Sequence, residues 1–221
     1  MVVDDAVIET ARAKLYAAVL SDVLDQLGYR HQVLPPQIRP LDEALVLVGR
    51  ARTALYRDVY HVPRGHNPYA LEIALIDDLQ PGDVPVLGCG GSGRIAPWGE
   101  LLTTASRARG ATGCVTDGLV RDIKMIRKLQ FPVFHGGIGP LDSKGRGEVA
   151  AIDVPIECAG ITVNPGDLVF GDADGVLVVP QPVVKQALTR ALEKVEGEDR
   201  TRAELERGAR LADVFAKYGI L

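Results

Sequence analysis

The stretch that decides the fold is PWGELLTTASRARGATGCVTDGLVRDIKMIRKLQ, residues 97–130. Its middle, TGCVTDG, has the apolar alternation of a strand, and the segments on both sides have the composition of helices. Glu100 lies at the start of the first helix, and twenty residues separate it from the adjacent pair Arg121 and Asp122. The stretch therefore predicts a helix–strand–helix unit with charged residues at the start of each helix.

Outside this stretch the same alternation continues in both directions. Strand patterns occur in EALVLVGRARTALYR, DVPVLG and PVFHGG, and NPYALEIALIDD predicts a helix with Asn67 as N-cap and Pro68 as first residue. After residue 148 short strands divided by Gly, Pro and Asp turns are followed by long polar helices. No linker divides the chain. We therefore predict a single domain over residues 1–221, of the α/β class with C-terminal helices.

Composition excludes several classes of protein. The formal charge of −4, from 25 Lys and Arg against 29 Asp and Glu, is spread without blocks. We therefore expect neither a nucleic-acid nor a membrane partner. The three cysteines form no C-x-x-C, no apolar run approaches the roughly 18 residues that span a bilayer, and the first residues lack a signal-peptide pattern. The expected location is the cytoplasm.

A glycine-rich loop, VLGCGGSG, matches G-x-G-x-x-G at Gly88, Gly90 and Gly93 after an apolar strand. Such a loop can bind a dinucleotide or a methyl-donor cofactor, because glycine lets the backbone approach the ligand. In that fingerprint the last glycines lie at the start of the helix, whereas here Pro97 intervenes. Methyl transfer therefore remains the weakest of the functional hypotheses.

Glu100, Arg121 and Asp122 each have a structural explanation and, taken together, a functional one. A carboxylate in the first turn of a helix, as for Glu100, is favoured by about 0.3–1 kcal/mol, and an Asp N-cap, as for Asp122, by about 1 kcal/mol over alanine. Arg121 would be a surface residue just before that cap. However, loops after parallel strands gather at one edge of a sheet, where ligands usually bind. Helix N-termini and Arg121 there suit a carboxylate ligand, and Glu100 and Asp122 suit Mg²⁺ or Mn²⁺. This set predicts enolate chemistry on an anionic small molecule.

At these residues the chain resembles the RraA-like family, which includes the 4-hydroxy-4-methyl-2-oxoglutarate/4-carboxy-4-hydroxy-2-oxoadipate aldolases and the ribonuclease E activity regulators. The similarity runs through VLSDVLDQLG, IRPL, PGDVPVL and GDLVFGDADGVLVVP to the C-terminal helices. Its most diagnostic part is an acidic residue, twenty residues and Arg-Asp, met by Glu100, Arg121 and Asp122. The aldolases commonly have Asp at the first position. Regulators can lack the acid after the arginine, so Asp122 favours the aldolase branch.

The resemblance implies a swivelling β/β/α fold, a homotrimer or homohexamer, and a class II pyruvate aldolase that also decarboxylates oxaloacetate. It implies that Asp122 binds Mg²⁺, Mn²⁺ or another divalent cation, directly or through water, with Glu100 supporting the metal's water shell. Arg121 is expected to bind the keto-acid end of the substrate. The substrate carboxylate is expected at the helix N-terminus formed by Gly99, Leu101 and Leu102. Metal-bound water is the expected proton shuttle, since no histidine lies beside the motif.

A further acid from a neighbouring subunit is expected near the metal, with Glu196 and Glu198 as alternatives. His66 stands where many members have Asp, and either faces the substrate or is solvated; His135 is a weaker candidate. Arg146 is a candidate for the far carboxylate of the substrate. Asp172 and Asp174 resemble a metal loop but are better explained by a turn between strands.

Two functions of different class follow from the resemblance. The first is a metal-dependent aldolase acting on a keto-acid substrate, which the complete set of Glu100, Arg121 and Asp122 favours. The alternative is a non-catalytic regulator that binds a ribonuclease and needs no metal.

Overall fold

The computed structural model describes residues 5–220. Its helices are α1 Asp5–Lys14, α2 Ala17–Gln26, α3 Ala70–Asp77, α4 Glu100–Ala108, α5 Ile123–Leu129, α6 Val184–Glu206 and α7 Leu211–Tyr218. Its strands are β1 Arg39–Pro40, β2 Leu47–Asp58, β3 Asp83–Gly88, β4 Cys114–Val120, β5 Val133–Ile138, β6 Gly147–Ile152, β7 Ile156–Cys158, β8 Ile161–Val163, β9 Leu168–Asp172 and β10 Gly175–Val179.

The main sheet has the strand order β1-β5-β4-β3-β2-β9-β10, with β6 also paired to β2. Strands β2, β3, β4 and β5 run parallel to one another, and the remaining pairings are antiparallel. The long strand β2 pairs with β9 along its first half and with β6 along its second half. The sheet curls until it is nearly closed, and the Arg39 guanidinium of β1 donates a hydrogen bond of 3.4 Å to the Ala173 carbonyl in the β9–β10 turn.

Alternation along the strands explains why both faces of this sheet are apolar. Successive side chains of a strand point to opposite faces. One set fills the inner face of the curled sheet, with buried residues that include Val84, Val86, Val115, Phe134 and Val176. Their neighbours along the strands point outward and pack either under α3, α4 and α5 or under α1, α2 and α6. The short β7–β8 hairpin contributes Ile156, Cys158 and Val163 to the inner cluster.

Helices α4 and α5 connect parallel strands, so both begin at the same edge of the sheet, beyond the carboxyl ends of β3 and β4. The predicted fold class is confirmed: the chain is mixed α/β with a nearly closed sheet and C-terminal helices. Helix α3 begins at Ala70 rather than at Pro68, because Asn67 Oδ1 accepts the Tyr69 N–H at 3.0 Å and forms a turn first. Across residues 5–220, no helix is both long and apolar enough to cross a bilayer.

The glycine-rich loop after β3 is held by Asp117 of β4. Asp117 Oδ1 accepts the Cys89 N–H at 2.5 Å, and Oδ2 accepts the N–H groups of Gly91 and Ala159 at 3.0 Å each. The Asp117 side chain is buried and ties this loop to the β7–β8 hairpin. These amides bind a carboxylate of the protein itself, so the loop has a structural explanation.

Replacing Asp117 by alanine would leave these backbone donors without their acceptor. We expect Asp117→Ala to lower the free energy of unfolding by about 2–4 kcal/mol, measured as a lower midpoint of urea unfolding. The control is Asp174→Ala, since Asp174 is exposed and we expect a change within about 0.5 kcal/mol. Equal midpoints for the two variants would contradict the role given to Asp117.

Candidate active site

Trp98 fixes the start of α4 beside the end of β4. Its side chain is completely buried and stacks on Phe131, with ring centroids 6.3 Å apart. Its indole Nε1 donates to Thr103 Oγ1 at 2.8 Å, and its carbonyl accepts the Arg121 N–H at 3.0 Å. Trp98 also forms a parallel bridge with Val120. The residues after Trp98 and after Val120 therefore leave the sheet side by side.

Asp122 connects the two helix starts. It is the N-cap residue of α5, as predicted, but its carboxylate makes no capping bond to that helix. Instead Oδ2 accepts the Glu100 N–H of α4 at 3.2 Å. Asp122 adopts the left-handed conformation, with φ 60° and ψ 29°, which Asp tolerates better than most residues. Such backbone strain persists where the surrounding structure imposes it, often at functional sites.

Gly99 permits this close approach of the two helix starts. A Cβ at Gly99 would lie 2.7 Å from Asp122 Oδ2 and 3.2 Å from Arg121 Cγ. The φ of −150° at Gly99 is accessible to any residue, so the requirement is for space rather than for backbone freedom. Any larger side chain here must displace the Asp122 carboxylate.

Arg121 lies between two carboxylates. Its Nε is 3.8 Å from Asp122 Oδ2, and its Nη1 is 3.3 Å from Asp142 Oδ1. The Arg121 side chain remains 38% exposed, so part of the guanidinium faces solvent. The Tyr69 hydroxyl donates to Asp142 Oδ2 at 2.5 Å. Burial, followed by this hydrogen bond, raises the pKa of Tyr69 to about 12, so its hydroxyl keeps its proton near neutral pH.

Glu72 of α3 is a partly buried carboxylate in the same region. The hydroxyl of Tyr56, a buried residue of β2, donates to Glu72 Oε2 at 2.8 Å. Burial raises the pKa of Glu72 to about 7, and the negative charge of Asp142 acts in the same direction. The Tyr56 hydrogen bond and the positive charge of Arg121 oppose this rise. Glu72 therefore changes its charge near neutral pH.

These groups surround a cleft of about 230 Å³. Its lining residues are Tyr69, Glu72, Ile73, Ala96, Pro97, Gly99, Leu101, Leu102, Arg121, Asp122, Asp142 and Ser143. Within residues 5–220, the N–H groups of Leu101 and Leu102 have no hydrogen-bond partner, as is usual in the first turn of a helix. The cleft thus presents free amides and a guanidinium, which together suit a carboxylate ligand.

Glu100 and Asp122 supply the carboxylate oxygens at the N-terminus of α4 that could bind a metal ion. Thr104 Oγ1 donates to Glu100 Oε1 at 2.8 Å. Glu100 Oε2 and Asp122 Oδ1 have no hydrogen-bond partner in the described part of the chain. No group of three His, Cys, Asp or Glu residues within residues 5–220 could hold a metal ion. Two carboxylates still fit Mg²⁺, which usually keeps several waters and takes one or two carboxylate ligands.

The structure brings together the sequence-predicted residues Gly99, Glu100, Leu101, Leu102, Arg121 and Asp122. Glu196 and Glu198 lie on α6, outside the lining of the cleft, and Glu198 Oε1 is 3.9 Å from Lys194 Nζ. Burial raises the pKa of Glu198. The contribution of either acid from a neighbouring subunit stays a prediction.

The remaining candidate side chains do not line the cleft. His66 Nε2 is 2.9 Å from Glu148 Oε2 on an exposed surface, in agreement with the solvated alternative. His135 is buried in β5, where burial and then Arg127 lower its pKa. Arg146 donates to the Asp142 carbonyl at 3.2 Å and is exposed beside the cleft.

Asp172 and Asp174 belong to a turn, as the sequence favoured. Asp172 Oδ1 accepts the Asp174 N–H at 2.9 Å, and Oδ2 accepts the Ala17 N–H at 2.8 Å at the start of α2.

Three residues that line the cleft were not predicted from the sequence: Tyr69, Glu72 and Asp142. Tyr69 and Glu72 are next to and within the helix predicted after Asn67, and Asp142 follows β5 in the loop GPLDS. The position of Asp142 after a parallel strand was an available signal, because such loops gather at the same edge of the sheet. Nothing in the local pattern of α3 distinguishes Glu72 from a solvated helical carboxylate.

The family model described as RraA-like, Aldolase/RraA, matches residues 17–178. The chain belongs to the RraA-like family. It is 37% identical over 185 residues to a protein of Halalkalibacterium halodurans named "Putative 4-hydroxy-4-methyl-2-oxoglutarate aldolase", covering 83% of this chain and 82% of the relative. An uncharacterized protein from Pseudomonas syringae pv. tomato has a similar structure, with TM-score 0.84 and 29% identity, over 97% of this chain and 98% of its own.

A second RraA-like structure is RraAS2 of Streptomyces coelicolor, described as an unusual member of the RNase ES inhibitor RraA protein family. It matches with TM-score 0.80 and 28% identity, over 91% of this chain and 98% of its own. The predicted family is therefore confirmed, and the family includes relatives named for two different functions.

Because the folded-state pKa of Glu72 is raised, the protein should lose stability as the pH rises from about 4.5 to about 7 and this carboxylate ionises in the fold. Glutamine resembles the protonated acid and does not titrate. We expect Glu72→Gln to raise Tm at pH 8 by at least about 2 °C and by less at pH 5. Thermal unfolding at both pH values measures this, and a Tm difference independent of pH would contradict the shifted pKa.

Proposed function

We propose that this protein is a divalent-metal-dependent lyase that cleaves a 4-hydroxy-2-oxo diacid to pyruvate and a second keto acid. We further propose that it decarboxylates oxaloacetate. The observation that carries the proposal is that Arg121 and Asp122 line one cleft with Leu101 and Leu102, whose N–H groups are free, and that Asp122 accepts the Glu100 N–H at the start of α4. The name of the Halalkalibacterium halodurans relative, at 37% identity, supports the aldolase class.

The first turn of α4 binds the pyruvyl end of the substrate. The N–H groups of Leu101 and Leu102 receive its carboxylate, and the helix N-terminus adds partial positive charge. Arg121 donates to the C2 oxygen, where negative charge accumulates as the carbon–carbon bond breaks. Its ion pairs with Asp122 and Asp142 hold the guanidinium in place, so little reorganisation is needed during the reaction.

Asp122 would hold Mg²⁺, Mn²⁺ or another divalent cation. Glu100 would contact the same cation, either directly or through a water molecule. When bound, this cation supplies Lewis-acid stabilisation of the negative oxygen. The free oxygens Asp122 Oδ1 and Glu100 Oε2 are the donors available for it. Glu196 or Glu198 of a neighbouring subunit is proposed to complete the site in a homotrimer or homohexamer.

A second candidate function is inhibition of a ribonuclease by binding to its surface. The structural likeness to RraAS2, a member of an RNase ES inhibitor family, favours it. It requires neither a metal nor turnover of a keto acid. The two functions therefore differ in a directly measurable way.

Pyruvate release from oxaloacetate, with Mg²⁺ and with EDTA, distinguishes them. We expect metal-dependent release above the background rate of Mg²⁺ itself, and we expect Asp122→Ala to lower kcat/KM at least about 100-fold, since both the cation and Arg121 lose a partner. Asp174→Ala serves as a control that keeps the native rate. Folded protein without release above background would overturn the proposed decarboxylation, and absence of pyruvate release from 4-hydroxy-4-methyl-2-oxoglutarate as well would overturn the lyase and favour the ribonuclease inhibitor.

Gly99→Ala tests whether activity requires the close approach of the Asp122 carboxylate to the start of α4. The added Cβ would displace the Asp122 carboxylate, so we expect kcat/KM for pyruvate release to fall at least about 10-fold, since small misplacements of catalytic groups have large effects. Thermal unfolding should change little, because a movable side chain absorbs the clash. Gly93→Ala is the matched control, since nothing lies within 4 Å of a Cβ at that position. Full activity in Gly99→Ala would argue against the geometry assigned to Asp122.

A further inference from the structure

Cleavage of a 4-hydroxy-2-oxo diacid needs a base for the C4 hydroxyl proton. Several carboxylates of the cleft are already engaged. Asp142 Oδ1 accepts the Ser143 N–H at 2.9 Å and pairs with Arg121, and Asp142 Oδ2 accepts the Tyr69 hydroxyl. Asp122 and Glu100 lie at the start of α4 and are the donors proposed for the cation. Asp142, Asp122 and Glu100 therefore have no carboxylate oxygen left to accept the C4 hydroxyl proton.

Glu72 differs from these three carboxylates. Tyr56 holds its Oε2, whereas its Oε1 has no hydrogen-bond partner within residues 5–220. Glu72 belongs to the lining of the cleft together with Tyr69 and Ile73 of the α3 region. Leu101, Leu102 and Arg121 line the same cleft, so a substrate whose keto-acid end binds to them shares this cleft with the Glu72 carboxylate.

We propose that Glu72 is the catalytic base of the retro-aldol reaction, removing the C4 hydroxyl proton and returning it to C3. This inference rests on the proposed lyase function. It assigns to a side chain of this chain the proton transfer that metal-bound water would otherwise perform.

The step balances without a further reactant. Glu72 Oε1 takes the hydroxyl proton, the O–H electron pair forms the new C4 carbonyl, and the C3–C4 bond breaks. The electron pair of that bond passes to C3 and C2 and forms the pyruvate enolate, stabilised at its oxygen by Arg121. Glu72 then donates the proton to C3. The products are pyruvate and a second keto acid, and Glu72 returns to its ionised form.

The surroundings of Glu72 suit this role. The Tyr56 hydrogen bond fixes the orientation of the carboxylate, since Tyr56 is itself buried in β2. The charged and titratable groups that act on the pKa of Glu72 are Tyr56, Asp142 and Arg121, and Glu72 in turn helps to raise the pKa of Tyr69. Together with burial they give Glu72 a pKa of about 7, near the value at which a general base works best at neutral pH.

Oxaloacetate decarboxylation by the same protein can be compared with aldol cleavage to test the role of Glu72. Oxaloacetate also gives the pyruvate enolate, but it loses carbon dioxide and has no hydroxyl proton to be removed. A base for the C4 hydroxyl is therefore needed in the aldol cleavage alone, whereas the enolate can take its C3 proton from water in both reactions. The two reactions share the α4 amides, Arg121 and Asp122.

The experiment compares kcat for both reactions in Glu72→Gln, using 4-hydroxy-4-methyl-2-oxoglutarate and oxaloacetate with Mg²⁺. Glutamine keeps the size of the side chain and accepts the Tyr56 hydrogen bond, but it cannot accept the proton. We expect kcat for aldol cleavage to fall at least about 100-fold, and at least tenfold more than kcat for decarboxylation. Glu43→Gln is the charge-matched control, since Glu43 is exposed and is not among the residues that line the cleft.

The outcomes separate this inference from the proposed function. A selective loss of aldol cleavage supports Glu72 as the base. Equal losses in both reactions, or no loss in either, overturn the role while leaving the lyase intact. Absence of both reactions in the native protein overturns the proposed function and this inference together. Thermal unfolding of Glu72→Gln checks that the variant is folded.

Discussion

The hydrogen bond from the Glu100 N–H to Asp122 Oδ2, 3.2 Å long, is the interaction on which the cleft depends. It joins the starts of two successive crossover helices. The buried Trp98 makes it possible by accepting the Arg121 N–H on its carbonyl, and Gly99 makes it possible by having no side chain. The left-handed backbone of Asp122 is the local cost, and packing of the two helices on the sheet offsets it.

The charge balance of the cleft follows from this arrangement. Among the described residues that line it, Arg121 carries the positive charge, against the carboxyl groups of Glu72, Asp122 and Asp142, and Glu100 lies next to this lining at the start of α4. An excess of negative charge attracts a cation and disfavours ionisation of the most buried acid. Burial is the main cause of the raised pKa of Glu72, and the negative charge of Asp142 adds to it; the same excess of negative charge would favour the cation proposed at the helix starts.

The fold alone does not distinguish an aldolase from a ribonuclease inhibitor, since RraA-like relatives are named for each. A fold can carry several functions, and the residues of the site decide among them. In this chain Arg121, Asp122 and the free amides of α4 form one continuous surface. These groups of one cleft are the reason for proposing the lyase before the ribonuclease inhibitor.

Local sequence patterns were enough to predict the fold class, the order of most elements and the set Glu100, Arg121 and Asp122. These follow from local patterns: alternation in strands, helix starts after strands, and charged residues at fixed spacing. The tertiary structure alone decided that Asp122 faces α4 rather than its own helix, and that Glu72 enters the cleft. Both depend on packing between segments distant in the chain, because burial and neighbouring charges, not sequence position, set the direction and the pKa of a carboxylate.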